Sequence, residues 1–301
     1  MGMIYKLYHP QAIHELGRRQ NQEDAIYPLP DQVNSDHRVF VVCDGMGGLD
    51  KGEVASEAVC KTLGRVAETI LHTLGAFTDD DLAHCMNAAY EALDAADTDN
   101  EAAMGTTMTF LCFHEQGCLV AHIGDSRIYH LRPSLGAQRG VLFRSRDHSL
   151  VHQLYEMGEI SYNDMAKYPK KNIILKGMQP HQVERTRASL AHIADIRPGD
   201  YFYMCTDGML EQMEDERLME IISDPTMTDE LKAQCLIDET SDNSDNHTAW
   251  LIHVEGVTKD PENDKDLPDD ELAHRIRNKV LNDRHKDQAW HFDDAIPMPD
   301  L

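Results

Sequence analysis

The sequence predicts an α+β protein, a four-layer α-β-β-α sandwich in which two antiparallel sheets pack together and helix pairs cover their outer faces. Three observations carry that prediction. Two long helical patterns, residues 53–74 and 79–96, keep one side polar and therefore suit the cover of a sheet. Short runs of strand formers at 106–113, 118–123 and 126–131 are separated by turn residues, the pattern of an antiparallel meander. Other runs, 39–43 and 201–205 above all, are apolar without strict alternation, which implies cover on both faces.

Taken in order, residues 4–16 read as an opening strand or hairpin that Pro10 interrupts. Basic and acidic groups crowd in GRRQNQED before a short strand at 25–27. The run 39–43 ends at Asp44, and Gly45, Met46, Gly47 and Gly48 read as a turn leading into the first helix. There Val54, Ala58, Val59, Leu63, Val66, Ile70 and Leu71 recur at a helical period. Thr78 followed by three aspartates is an N-cap with a favourable helix dipole for the second helix. After the meander, 149–157 reads as a helix stopped by Gly158, and Ser161 as the cap of a short one that ends before Pro169. A strand at 185–192, the run 201–205, helices at 214–222 and 229–239 and a last strand at 248–254 complete a domain drawn at 1–255. Residues 256–301 read as an acidic linker, an amphipathic helix at 270–287, and a tail carrying Trp290, Phe292, Ile296 and Met298 that packs back, serves as a partner motif or is disordered.

The 301 residues carry a formal net charge of −25, which argues against nucleic acid and against an anionic membrane surface as partners. No apolar run approaches the roughly 20 residues of a membrane span, and the N-terminus lacks the apolar core of a secretory signal. Seven cysteines without a C-x-x-C pair suit a reducing cytoplasm, and no H-E-x-x-H zinc motif occurs. A cytoplasmic monomer is the expectation.

One device recurs. An apolar run meets an aspartate at Asp44, at Asp125 and at Asp207, and Asp245 stands just before the last strand. If these strands are neighbours, four carboxylates surround one spot, with Glu23 and Asp24 as a fifth acidic station. Two carboxylates roughly 5 Å apart repel by about 3 kcal/mol at an effective dielectric near 20. Such a cluster calls for cations, and oxygen-only ligands select hard ones: magnesium or manganese rather than calcium. The glycines after Asp44 suggest a phosphate cradle, but the P-loop lysine is missing and Asp44 would repel a phosphate, so phosphate is read as entering through the metal. Arg19, five residues before Asp24, supplies a guanidinium for phosphate oxygens. Asp242 is an alternative ligand to Asp245. His148 is a general acid by type alone, and Thr106 and Thr107 read as packing and supporting hydrogen bonds.

The ordered segments RRQNQED, VVCDGMGG with GEVAS, MGTTMT, IGDSRIY, RDHSLV, CTDGM and SDNHTAWLIHV resemble those of the metal-dependent protein phosphatases, the type 2C or PPM family, over about residues 5–254. DGMGG and the stretch 160–178 resemble its bacterial serine/threonine phosphatases. The resemblance implies the same sandwich fold and hydrolysis of phosphoserine and phosphothreonine in proteins by a water or hydroxide bridging two Mn2+ or Mg2+ ions, without a covalent intermediate. It implies that Asp44, Asp207 and Asp245 hold the first ion, that Asp44 and the Gly45 carbonyl hold the second, and that Glu23 and Asp24 stand behind it. Asp125, with Asp207, matches a third, weaker site, and Arg19 matches the arginine that binds the substrate phosphate. Residues 160–177, with Ile160, Tyr162, Lys170 and Lys171, match a flap where substrate preference is set, and His148 matches a structural position. Met46 stands where eukaryotic relatives carry a histidine proposed as general acid. The alternatives are a non-catalytic metal-binding regulator of the same fold and a hydrolase of small phosphate esters.

Overall fold

In a computed structural model, the structure describes residues 2–47, 51–98, 104–165, 167–170, 172–211, 213–259 and 293–294. The chain opens with β1 (Met3–Leu7) and β2 (Gln11–Glu15), followed by β3 (Asp24–Tyr27), β4 (Val39–Gly47), α1 (Lys51–Leu74) and α2 (Asp79–Ala96). Next come β5 (Met104–Thr106), β6 (Met108–His114), β7 (Gly117–Ile123), β8 (Arg127–Leu131) and β9 (Val141–Arg144). The short helices α3 (Leu150–Glu156) and α4 (Tyr162–Met165) precede β10 (Ser189–Ile193) and β11 (Tyr201–Cys205). Then follow α5 (Asp215–Ser223), α6 (Asp229–Thr240), β12 (His247–Lys259) and a two-residue β13 (Asp293–Asp294).

One sheet runs β1-β12-β11-β8-β9, with β2 also on β12. The other runs β13-β10-β7-β6-β4-β3, with β5 on β4. The opening segment is not a hairpin: β1 pairs with the far half of β12 and β2 with the near half, both antiparallel, so Pro10 breaks one long edge into two. The meander is also divided. β6 and β7 pair with each other, but β8 crosses to the other sheet and lies between β11 and β9. β9 is a strand that the sequence pattern does not announce. β12 continues past Gly256 to Lys259, beyond the point where the composition changes. The helix expected at 270–287 and the tail aromatics lie outside the described residues.

Strand parity sorts the core into three layers. On β4, Val39, Val41 and Cys43 face α1 and α2, while Phe40 and Val42 face the other sheet. They meet Phe202, Met204, Trp250 and Ile252, with Phe40 edge-on to Trp250 and Phe113 edge-on to Phe202. The outer face of the second sheet, with Tyr203, Cys205 and Leu251, packs on α5 and α6. Burying each such large side chain stabilises the fold by about 1.5–3 kcal/mol. Cover on both faces explains why these strands do not alternate in sequence.

Helix ends are as the sequence predicts at Thr78, whose hydroxyl accepts from the Asp81 N–H while the Asp81 carboxylate accepts from the Thr78 N–H. The buried stripe of α1 runs through Ala55, Val59, Leu63, Ala67 and Ile70, so Val54 is left exposed. The Gly45–Gly47 segment is not a turn. β4 continues through it, pairing Gly45 with Thr106 and Gly47 with Met104. Gly45 is there for close approach: a Cβ would lie 2.3 Å from the Gly52 carbonyl oxygen and 2.5 Å from that of Glu23.

Candidate active site

The inter-sheet layer changes character at one end. Continuing the inward parity of Phe40 and Val42 brings Asp44, and continuing that of Ile26 brings Asp24. On β11 and β12 the same step leads from Met204 to Thr206 and from Trp250 to Thr248. The registers place these ends side by side, since Asp24 is the cross-strand partner of Asp44 and the Thr206 N–H donates to the Thr248 carbonyl. Asp207 opens a single turn of 3-10 helix after β11, Asp125 sits in the turn between β7 and β8, and Asp245 precedes β12. Asp44 thus lies within a strand rather than at its end, and its sheet partner is a second carboxylate.

The pKa values show how closely these groups sit. Burial first, then the charges of Asp24, Asp207, Asp125 and Asp245, push Asp44 well above the carboxylate range. Asp24 is pushed up to about 7 by burial, against the hydroxyls of Thr248 and Thr206 and with the charges of Asp207 and Asp245. Burial and the Asp207 and Asp147 charges raise Asp125 to about 8, and burial with Asp245 raises Asp207 to about 6 despite a hydrogen bond shared with Asp44. Asp125 Oδ1 is buried with no hydrogen-bond partner among the described residues. All five aspartates therefore belong to one electrostatic cluster.

Protein groups hold the cluster. Thr206 Oγ1 donates to Asp24 Oδ2 at 2.9 Å, the Asp44 N–H donates to Thr107 Oγ1 at 3.0 Å, and Thr106 Oγ1 donates to the Asp44 carbonyl at 2.9 Å. Arg19 Nη2 donates to Asp245 Oδ2 at 2.6 Å, so the half-exposed guanidinium neutralises that carboxylate. Among the described residues no three acidic, histidine or cysteine side chains converge closely enough to grip an ion as they stand. Asp242 is apart from the cluster, largely exposed and paired with Arg18.

Several supporting residues escape sequence reasoning. Asn246 donates to the carbonyls of Leu16 and Asn21 and accepts from the Glu23 N–H, tying the Arg19 segment to the Asp245 loop. The only sequence signal is its place after Asp245. Gly17 has φ +60°, and a Cβ there would lie 2.0 Å from the Asp245 carbonyl oxygen. Ser56, on α1, donates to the Glu23 carbonyl at 2.5 Å.

His148 and Met46 take positions away from the carboxylates. His148 Nδ1 accepts from the Gly124 N–H, which leaves the proton on Nε2, facing Ser189 Oγ at 2.9 Å. Burial first, then the neighbouring His122, lowers its pKa to about 2. The imidazole is neutral and fully engaged. The end of the Met46 side chain lies against Gly177 and Gly105, at the base of the flap. The flap stem is pinned on both sides: Ile174 pairs with Ser149 on one, Met178 with Thr106 on the other. Of the flap residues named above, Lys170 is exposed and Ile160 half-buried, Tyr162 starts α4, and Lys171 lies outside the described residues.

The site is thus a cluster of aspartates at one end of the inner layer of a two-sheet sandwich, with an arginine bound to one of them. Residues 14–234 match the family profile described as protein phosphatase 2C. The chain belongs to that family. It is 29% identical over 216 residues to the serine/threonine protein phosphatase PstP of Mycobacterium tuberculosis, a match covering 70% of this chain and 38% of PstP, so the chain spans well under half of that relative. It is 27% identical over 228 residues to the serine/threonine phosphatase stp of Listeria monocytogenes, covering 73% and 86% of the two chains. The crystal structure of the PstP catalytic domain in complex with two manganese ions superposes with a TM-score of 0.62 at 25% identity, covering 83% of this chain and 99% of that one.

Proposed function

We propose that the chain is a metal-dependent protein serine/threonine phosphatase that hydrolyses phosphoserine and phosphothreonine esters without a covalent intermediate. The observation that carries the reading is the raised pKa values of Asp24, Asp44, Asp125 and Asp207, crowded at the polar end of the inter-sheet layer with the Asp245 charge beside them. A cluster that raises its own pKa values is relieved by cations, and the buried, unpartnered Asp125 Oδ1 is an acceptor suited to one. The donor set, carboxylate and carbonyl oxygens alone, suits hard divalent ions. Asp44, Asp207 and Asp245 would hold one Mn2+ or Mg2+, Asp44 and the Gly45 carbonyl a second, and Asp125 with Asp207 a third, with Glu23 and Asp24 behind them. Bound there, such ions supply Lewis-acid charge and lower the pKa of water.

The chain's own groups do the rest. Arg19 is positioned beside Asp245 by the Asn246 bonds to its segment, where its two-pronged guanidinium suits phosphoryl oxygens. Its present partner, Asp245, is also a proposed ligand, so a cation held there would compete with Arg19 for that carboxylate and leave the guanidinium for phosphate. Thr206 and Thr248 orient Asp24, and Thr106 and Thr107 fix the backbone on both sides of Asp44. His148 does not move the proton, because its Nε2–H faces Ser189 and its Nδ1 is occupied by Gly124. The flap, 160–177 with Ile160, Tyr162, Lys170 and Lys171, is assigned the setting of substrate preference. The partners are phosphorylated proteins, and the chain is read as a cytoplasmic monomer.

The test is phosphate release from phosphoserine, phosphothreonine and phosphotyrosine peptides and from a panel of small phosphate esters, with manganese or with chelator. Calorimetric titration of manganese runs in parallel. Turnover of the first two peptides only with manganese is the expected result. Manganese binding without turnover would make the chain a regulator, and faster turnover of a small ester would move it to the other rival class.

A further inference from the structure

The middle of the flap is locally basic, between Asp164 and Glu184. Between positions 166 and 182 the sequence holds Lys167, Lys170, Lys171 and Lys176 and no acidic residue, in a chain of net charge −25. Lys167 and Lys170 are exposed, and so is Arg187 just before β10. β10 adjoins the flap stem: the Leu175 N–H donates to the His148 carbonyl, and the His148 ring reaches Ser189 on β10.

One edge of β10 pairs with β7, and the other would be the open end of its sheet. An open strand edge is a template for any chain that can add to it. Here β13 adds to it in parallel, with Asp293 opposite Ser189 and Asp294 opposite Leu190. The segment that supplies β13 has the complementary charge: from Asp287 to Leu301 it holds Asp287, Asp293, Asp294 and Asp300 and neither lysine nor arginine. At about 3.4 Å per extended residue, the connection from Lys259 is long enough to reach this edge from the end of β12. Backbone pairing and charge are independent observations, and both lead to the same face.

We infer that the acidic C-terminal segment, residues 287–301, docks in cis on β10, adding a strand to the sheet edge with its charge balanced by the lysine-rich flap. In that position it would compete with an acidic stretch of a phosphoprotein for the same lysines. This last consequence rests on the phosphatase reading, whereas the docking does not. The segment is thereby a built-in competitor whose strength depends on salt, because the charges involved are exposed.

The test uses the full chain. Zero-length carbodiimide cross-linking at low salt, read by mass spectrometry on the monomer band, should join Asp293 or Asp294 to Lys167, Lys170 or Lys171 at least about fivefold more often than to the exposed Lys6 or Lys61. The preference should disappear in 1 M salt. In parallel, hydrogen exchange of the peptide spanning 188–193 should be about threefold or more faster in an Asp293→Lys, Asp294→Lys variant than in the wild type. Cross-links spread evenly over all five lysines, cross-links confined to a dimer band, or identical exchange in the two proteins would each overturn the inference. None of these readouts uses turnover, so they fail or succeed independently of the phosphatase assignment.

Discussion

The middle of the inter-sheet layer and its aspartate-lined end are built by neighbouring strands and obey opposite rules. In the middle, Phe40, Phe202 and Trp250 are fully buried, and each adds stability by leaving water. A step or two along the same or neighbouring strands, Asp44, Asp24 and Thr206 occupy equivalent inward positions, and there the charges oppose one another. The middle stabilises the fold, and the end is a locus of stored repulsion held in place by that stability. Activity and stability should therefore respond separately to substitution in the two regions.

The largest effect is expected from Asp44→Asn. With manganese, its kcat/KM on a phosphopeptide should fall by about 10⁴-fold, roughly 5.5 kcal/mol of transition-state stabilisation. In chelator its Tm should equal or exceed that of the wild type, because the amide removes a repelled charge. A variant with a much lower Tm in chelator would show that Asp44 supports the fold, which would dissolve the contrast. Next comes Phe202→Ala, for which urea unfolding should show a loss of about 3–5 kcal/mol. Its kcat/KM, measured at a temperature where the variant is still folded, should stay within a few-fold of the wild type. A collapse of turnover in the folded variant would mean that the two regions are coupled.

The smallest effect sharpens the boundary between them. His148 is held at about pKa 2, below the free imidazole value of 6.5, so between those values the unfolded chain binds the proton that the folded protein refuses. Its contribution is intact above pH 6.5 and is lost as pH falls into that window, by up to about 1.4 kcal/mol per pH unit. Urea titrations from pH 7 to pH 5 should show a shallower loss for His148→Gln than for the wild type. Equal slopes would mean that the imidazole is not kept neutral.

Much of this contrast is visible in the sequence, for definite reasons. Apolar runs that stop at aspartate announce both the strands and the cluster, and Thr78 with Asp81 announces a helix start, because each depends on neighbours in the chain. Pairing is another matter. Nothing local says that β1 and β2 lie end to end on β12, or that β8 leaves its neighbour β7 for β11. The glycines after Asp44 were legible as a need for a bare backbone but not as a strand, since the crowding that demands them comes from Gly52 and Glu23. Asn246 was hidden for the same reason: its three bonds go to residues more than two hundred positions away. The Arg19–Asp245 pair spans a similar distance.

The alternation on β4 has a consequence for error. Phe40, Val42 and Asp44 point one way and Val39, Val41 and Cys43 the other. One inserted or deleted residue would turn the aspartate toward the helices and exchange both apolar sets at once. A version of this strand slipped by one residue cannot keep the aspartate cluster while losing the packing. A chain assembled out of step thus loses its aspartate cluster together with its packing.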